Sequence, residues 1–212
     1  MNGQTPAKDR RKRFTMLRTF VAADVLTLGN GFCGTGAVLA LMQYMAVQEL
    51  CWLWLAIGLS PVALVLDFAD GRVARWRRRS SPLGADLDSL ADVISFGVAP
   101  AALGFAVGLR GALDVAVLLY FVACGISRLA RFNVTAEVLS DDQGKVKYFE
   151  GTPIPTTVLL VAIVAWLVTQ QWIGEDLPFG VWVFGPLALH PFALCYALSG
   201  SAMISTIRIP KL

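Results

Sequence analysis

The chain has 212 residues, a formal net charge of +3, a mean hydropathy of +0.63 and 56% hydrophobic residues, against roughly 45–50% apolar usage in soluble domains. That excess excludes an ordinary soluble globular domain, and so modest a charge argues against a nucleic-acid partner. Cys33, Cys51, Cys124 and Cys195 lie scattered through apolar segments with no C-x-x-C pair, so they read as buried thiols rather than disulfides or metal ligands.

In chain order, a basic cluster comes first, Lys8, Arg10, Arg11, Lys12, Arg13 and Arg18. The apolar run after it, Val25 to Val47, is too long for a signal-peptide core and has no convincing cleavage site, so a retained first helix is expected. Gly29, Gly31, Gly34 and Gly36 would let that helix pack closely on a neighbour. Further apolar runs cover Trp52 to Leu66, Asp88 to Leu109, Leu113 to Arg128, Thr156 to Trp172 and Val181 to Met203. A helix needs about 20 residues to cross a hydrocarbon core. Because backbone in lipid must satisfy its own hydrogen bonds, and no alternating barrel pattern competes, these runs are expected to be helices. The expectation is an all-α integral membrane protein, six transmembrane helices in one domain over residues 1–212, with residues 1–20 as a basic cytoplasmic segment. No linker, repeat or low-complexity tract divides it.

The basic residues orient the bundle. Of 18 Lys and Arg, 17 fall on one face of a six-span topology, and only Arg110, between spans three and four, falls on the other. By the positive-inside rule the rich face is cytoplasmic. The N-terminal cluster then serves as a topology signal that also attracts anionic headgroups. The compactness of the chain points to a bacterial inner membrane.

Between spans two and three stands "DFADGRVARWRRRSSPLGADLDSLAD", residues 67–92. Asp67 and Asp70 are three apart and Asp88 and Asp92 four apart, so each pair shares a helical face. A short link makes the two helices antiparallel neighbours, and four carboxylates can converge in one pocket. Ionisable groups at membrane depth are costly and mark functional sites. Oxygen ligands without His or thiolate suit hard cations, Mg2+, Mn2+ or Ca2+, and room for two is chemically plausible. The bland alternative is a solvated loop in which these acids pair with the adjacent arginines. Asp86 points to a different face. Gly71 and Gly84 would admit a ligand or a neighbouring helix closely, as would the small Ala74. Arg75 could reach a phosphate, whereas Arg77, Arg78 and Arg79 read as a headgroup-facing run.

Written as a pattern, the stretch is D-x2-D-G-x2-A-R-x8-G-x3-D-x3-D, filled by Asp67, Asp70, Gly71, Ala74, Arg75, Gly84, Asp88 and Asp92. It resembles the signature of the CDP-alcohol phosphotransferase family. The resemblance implies a six-helix membrane enzyme, usually a homodimer, that moves a substituted phosphoryl group from a CDP-linked donor to a hydroxyl and releases CMP. By position it implies that Asp67, Asp70 and Asp88 hold divalent cations and that Asp92 completes a second cation site and acts as general base. Asp70, Gly71, Ala74, Arg75 and Gly84 would line the CDP pocket.

A second stretch concerns the acceptor. "GISRLARFNV", residues 125–134, with "KVKYFEGTPIPTT", residues 145–157, resembles the phosphatidylserine synthase branch of that family, implying CDP-diacylglycerol and L-serine as substrates. Arg128 and Arg131, three apart on one face, suit an acceptor carboxylate, and the same arginines could serve as headgroup anchors. Lys145, Lys147 and Glu150 belong to a loop able to close over the site, with Lys147 a candidate acceptor contact. Pro153 and Pro155 stiffen its return. The chain departs from the family at Ala23-Asp24, where Pro-Asn is frequent, and at Thr156 and Thr157. A phosphorylated acceptor, glycerol 3-phosphate or inositol phosphate, would also attract an arginine pair. A cation transporter is a more distant alternative, disfavoured because the acids sit at one surface and no repeat is visible. His190, the single histidine, is expected to be hydrogen-bonded within the bundle. Trp52, Trp54, Trp172 and Trp182 read as interfacial anchors.

Overall fold

The computed structural model describes residues 22–77, 82–139, 148–205 and 208–210. Helix α1 spans Ala22–Val47, α2 Leu50–Arg77 and α3 Pro82–Asp92. A π-helical turn, Val93–Val98, joins α3 to α4, Ala99–Val107. Helix α5 runs over Ala112–Leu139. A short 3-10 turn, Ile154–Thr157, leads into α6, Val158–Thr169, and α7 covers Ala193–Ile204. Two small antiparallel pairings complete the description. Strand β1, Tyr148–Glu150, pairs with β4, Arg208–Pro210, and β2, Trp182–Phe184, with β3, Leu187–Leu189.

Four helices among the described residues are long and apolar enough to cross a membrane: Ala23–Val47, Leu50–Val73, Gly84–Val107 and Ala112–Val134. Ile154–Thr169 and Ala193–Ile204 are apolar but shorter. The second and third of these start or end further out than the apolar runs alone suggest, since α2 continues through Asp67 and Asp70 and α3 starts ahead of Asp88. The expected last span needs correction. Residues 182–189 form the β2–β3 hairpin, turning at Gly185 with φ 61°, and helix resumes only at Ala193. Gly180, the Gly185-Pro186 pair and Pro191 explain this, because each favours a turn or lacks the N–H a helix needs.

Helix α1 runs along α2 and also meets α3, the π turn and α4, while α5 runs along α7. Side chains buried between them include Leu41, Leu53, Phe96, Leu109, Phe121, Ile154 and Tyr196. The Tyr196 ring meets Phe121 edge-on and its hydroxyl donates to the Pro100 carbonyl at 3.1 Å. Outward-facing positions are apolar too, with Phe32, Val65, Leu119 and Leu198 exposed, the pattern of a surface in contact with lipid.

The π turn has a local cause. Pro100 has no N–H to give the Phe96 carbonyl an ordinary i→i+4 bond, and the helix widens instead, with the Ala99 N–H bonding the Ile94 carbonyl. The widened turn brings Ser95 against α1, where its hydroxyl donates to the Asn30 carbonyl at 2.8 Å. This approach requires Gly34, because a Cβ there would stand 2.6 Å from Ser95 Cα. Gly34→Ala is therefore expected to cost about 1–3 kcal/mol of stability by overpacking. Gly58→Ala, where an added methyl meets nothing within 4 Å, should hold or raise stability. Thermal unfolding of both variants in detergent checks this, and equal Tm values would contradict it.

Candidate functional site

The site forms where α2 ends and α3 begins, with α1 alongside. Each helix contributes a row of polar residues set three or four apart, so each row lies on one face. On α2 the row is Asp67 and Asp70, on α3 Asp88 and Asp92, and on α1 Thr27 and Asn30. Three of these carboxylates meet: oxygens of Asp67, Asp70 and Asp88 all lie within 4.8 Å of one another. Asp92 lies one turn further along α3.

Burial differs among the four. Asp70 and Asp92 are buried, at 5% and 7% exposure, while Asp67 and Asp88 are half-buried. The two buried acids are the two tied to α1. Thr27 Oγ1 lies 2.7 Å from Asp70 Oδ2, and Asn30 Nδ2 donates to Asp92 Oδ1 at 3.1 Å. Asp88 Oδ1 is buried with no hydrogen-bond partner among the described residues. Carboxylates this close repel strongly in a medium less polar than water, and such an oxygen-only cluster fits a hard divalent cation.

The other residues singled out from the sequence fall into three groups. Gly71, beside Asp70, and Gly84, in the first turn of α3, lie on the helices that carry the acids and are half-buried. Ala74 and Arg75 lie on the last turns of α2, but their side chains, with Lys145 and Lys147, lie outside the described residues. Asp86 is exposed, on a different face from Asp88.

Arg128 and Arg131 separate. Helix α5 continues well past both, to Leu139. Arg128 is half-buried, stacks over the Phe132 ring at 6.0 Å and has its Nε buried without a partner among the described residues. Arg131 is exposed. A Ser89–Asn133 hydrogen-bond pair, at 3.0 Å, ties α3 to α5 and holds the arginine helix beside the acids.

Sequence reasoning missed Thr27, Asn30 and Ser95. The signal was present, since Asp24, Thr27 and Asn30 recur every three residues in an otherwise apolar helix, a spacing that gives a polar stripe. His190 is accounted for as expected. Its backbone N–H donates to Asp114 Oδ1 at 2.7 Å and its Nδ1 lies 2.6 Å from Asp114 Oδ2. It sits beside a cavity of about 590 Å3 lined by Tyr44, Gln48, Arg110 and Glu175. That cavity is at the opposite end of α1 from Thr27 and Asn30 and shares no residue with the acidic cluster.

A family model for CDP-alcohol phosphatidyltransferase matches residues 20–189. A Saccharomyces cerevisiae protein named CDP-diacylglycerol--serine O-phosphatidyltransferase is 44% identical over 202 residues, covering 93% of this chain and 73% of that protein. A Helicobacter pylori protein of the same name is 38% identical over 194 residues, 91% of this chain and 73% of its own. One from Bacillus subtilis, again so named, is 32% identical over 143 residues, 66% and 73% respectively.

If the acidic cluster binds a cation in the folded state alone, Mg2+ or Mn2+ at 100 times its dissociation constant stabilises the protein by about 2.7 kcal/mol. Thermal unfolding in detergent, with and without EDTA, should show a metal-dependent rise in Tm. Asp88→Asn should abolish that rise, and a rise that survives the substitution would place the cation elsewhere.

Proposed function

The chain belongs to the CDP-alcohol phosphatidyltransferase family, and on that premise we propose that it transfers the phosphatidyl group of CDP-diacylglycerol to the hydroxyl of L-serine, giving phosphatidylserine and CMP. The observation that carries the reading is the convergence of Asp67, Asp70 and Asp88 within 4.8 Å, with Asp92 next on the same face of α3. A transferase acting on a pyrophosphate needs concentrated positive charge at the bridging oxygens, and this cluster is built to hold it.

Asp67, Asp70 and Asp88 are the cation ligands, with Asp92 completing a second position. Two divalent ions there, Mg2+ or Mn2+, would neutralise charge on the pyrophosphate and the departing CMP. Thr27 orients Asp70, and Asn30 orients Asp92. Gly71, Ala74, Arg75 and Gly84 line the nucleotide pocket, where small residues admit the CDP group and Arg75 meets a phosphate.

In the transfer step, Asp92 accepts the proton of the serine hydroxyl. The serine oxygen bonds to the phosphorus bearing the diacylglycerol, and the bond from that phosphorus to the CMP oxygen breaks, its electron pair leaving on CMP. Arg128, supported by Arg131 and Lys147, offers positive charge to the serine carboxylate. Arg128 is half-buried on the helix that Asn133 ties to α3, whereas Arg131 is exposed.

The same reading makes residues 1–212 one six-span domain, α6 and α7 supplying the shorter spans, in a homodimer. The basic loops then put the site on the cytoplasmic side, within reach of both a soluble amino acid and a lipid-anchored donor.

Loss of a positioned base typically costs about 10²- to 10⁴-fold. Asp92→Asn should therefore reduce CMP release at least a hundredfold while leaving CDP-diacylglycerol binding largely intact, measured with purified protein and labelled donor. Activity within a few-fold of the unsubstituted protein would reject the base. Offered acceptors in turn with Mn2+ or Mg2+, the enzyme should form labelled phospholipid from L-serine. Product from glycerol 3-phosphate or inositol phosphate, and none from serine, would overturn the acceptor.

A further inference from the structure

Two buried polar atoms have no partner among the described residues, one on Asn30 beside Asp92 and one on Arg128 of α5, the helix that Asn133 ties to Ser89 of α3, and they are of opposite kinds. Asn30 Oδ1 is a hydrogen-bond acceptor, and Arg128 Nε–H is a donor. Asn30 is fully buried, its Nδ2 is committed to Asp92 Oδ1, and its main-chain carbonyl is held by Ser95. The Ser95 bond fixes the Asn30 backbone and the Asp92 bond fixes its carboxamide, whose oxygen is left without a partner among the described residues. A buried acceptor left unmatched is costly, and its fixed position makes it a contact awaiting a donor.

Resting on the serine reading, we infer that Asn30 selects the acceptor's ammonium group: its N–H holds the base, and its oxygen receives the α-ammonium of the amino acid whose hydroxyl that base deprotonates. The acceptor's three groups then meet three matched partners, hydroxyl on Asp92, ammonium on Asn30 and carboxylate on Arg128. Asn30 is uncharged, and its buried oxygen has no donor among the described residues. A phosphorylated acceptor could offer that atom only a neutral hydroxyl, a weaker donor than an ammonium.

The test compares L-serine with 3-hydroxypropionate, the same acid without the ammonium, as acceptors for the protein and for Asn30→Leu. A hydrogen bond to a charged group should let the protein prefer serine by about ten- to a hundredfold in kcat/KM. In Asn30→Leu that preference should fall at least tenfold, with the KM for serine rising by a similar factor and the KM for CDP-diacylglycerol unchanged. If Asn30→Leu does not fold, Asn30→Ala, which adds no bulk, reads the same quantities.

Equal losses for the two acceptors, or a fall in kcat at unchanged serine KM, would show that Asn30 only positions Asp92 and would overturn the inference. A rise in the Mn2+ concentration needed for activity, in place of a rise in serine KM, would assign the oxygen to a cation and do the same. Failure of the unsubstituted protein to use serine would defeat the parent reading before any variant is made, so the two failures are distinguishable.

Discussion

The structure depends on holding carboxylates of like charge together at the end of a helix pair. At an effective dielectric constant of 20, two unit charges 4 Å apart repel by about 4 kcal/mol, and here Asp67, Asp70 and Asp88 meet within 4.8 Å. Left to themselves, α2 and α3 would splay to relieve this. Packing has to oppose it until positive charge arrives.

That opposition comes from α1. Thr27 holds Asp70, Asn30 holds Asp92, and the Ser95 hydroxyl on the Asn30 carbonyl locks the register of α1 against the α3–α4 segment. Each contact depends on the one before it. The π turn presents Ser95, Pro100 forces the π turn, and Gly34 clears the space for Ser95 to approach. A helix of 26 residues with only weak sequence signals of function thus acts as the ruler for the site.

The acidic pattern of residues 67–92 was legible because one stretch of chain contains both halves of the pocket, so spacing alone puts the acids on facing sides of neighbouring helices. The contribution of α1 was not, although Asp24, Thr27 and Asn30 form a readable stripe, because which helix a stripe faces is decided by packing between distant segments. Arg128 and Arg131 looked equivalent at one face of a helix end, but α5 runs on to Leu139, and the bundle half-buries the first while leaving the second exposed. The last apolar run misled for a different reason. Hydropathy averaged over residues 181–203 is that of a span, yet Gly180, Gly185-Pro186 and Pro191 break it into a hairpin and a short helix, and averaging hides single residues that forbid an element.

Contrast between the two ends of the molecule shows why unmatched groups carry functional weight. Asp114 is fully buried; its Oδ1 accepts from the His190 N–H, and its Oδ2 accepts from the Gly111 N–H and meets the His190 ring. Its bonding capacity is met from within, as a structural carboxylate requires. It clips the hairpin to the start of α5 and needs nothing else. At the other end, Asp88 Oδ1, Asn30 Oδ1 and Arg128 Nε are equally buried and have no partner among the described residues. Apolar replacements would have stabilised a bundle with no other task. Their presence on the helices that carry the acidic cluster and on α5 beside them, with acceptors and a donor mixed, fits a pocket completed by cations and a zwitterion rather than by the protein itself.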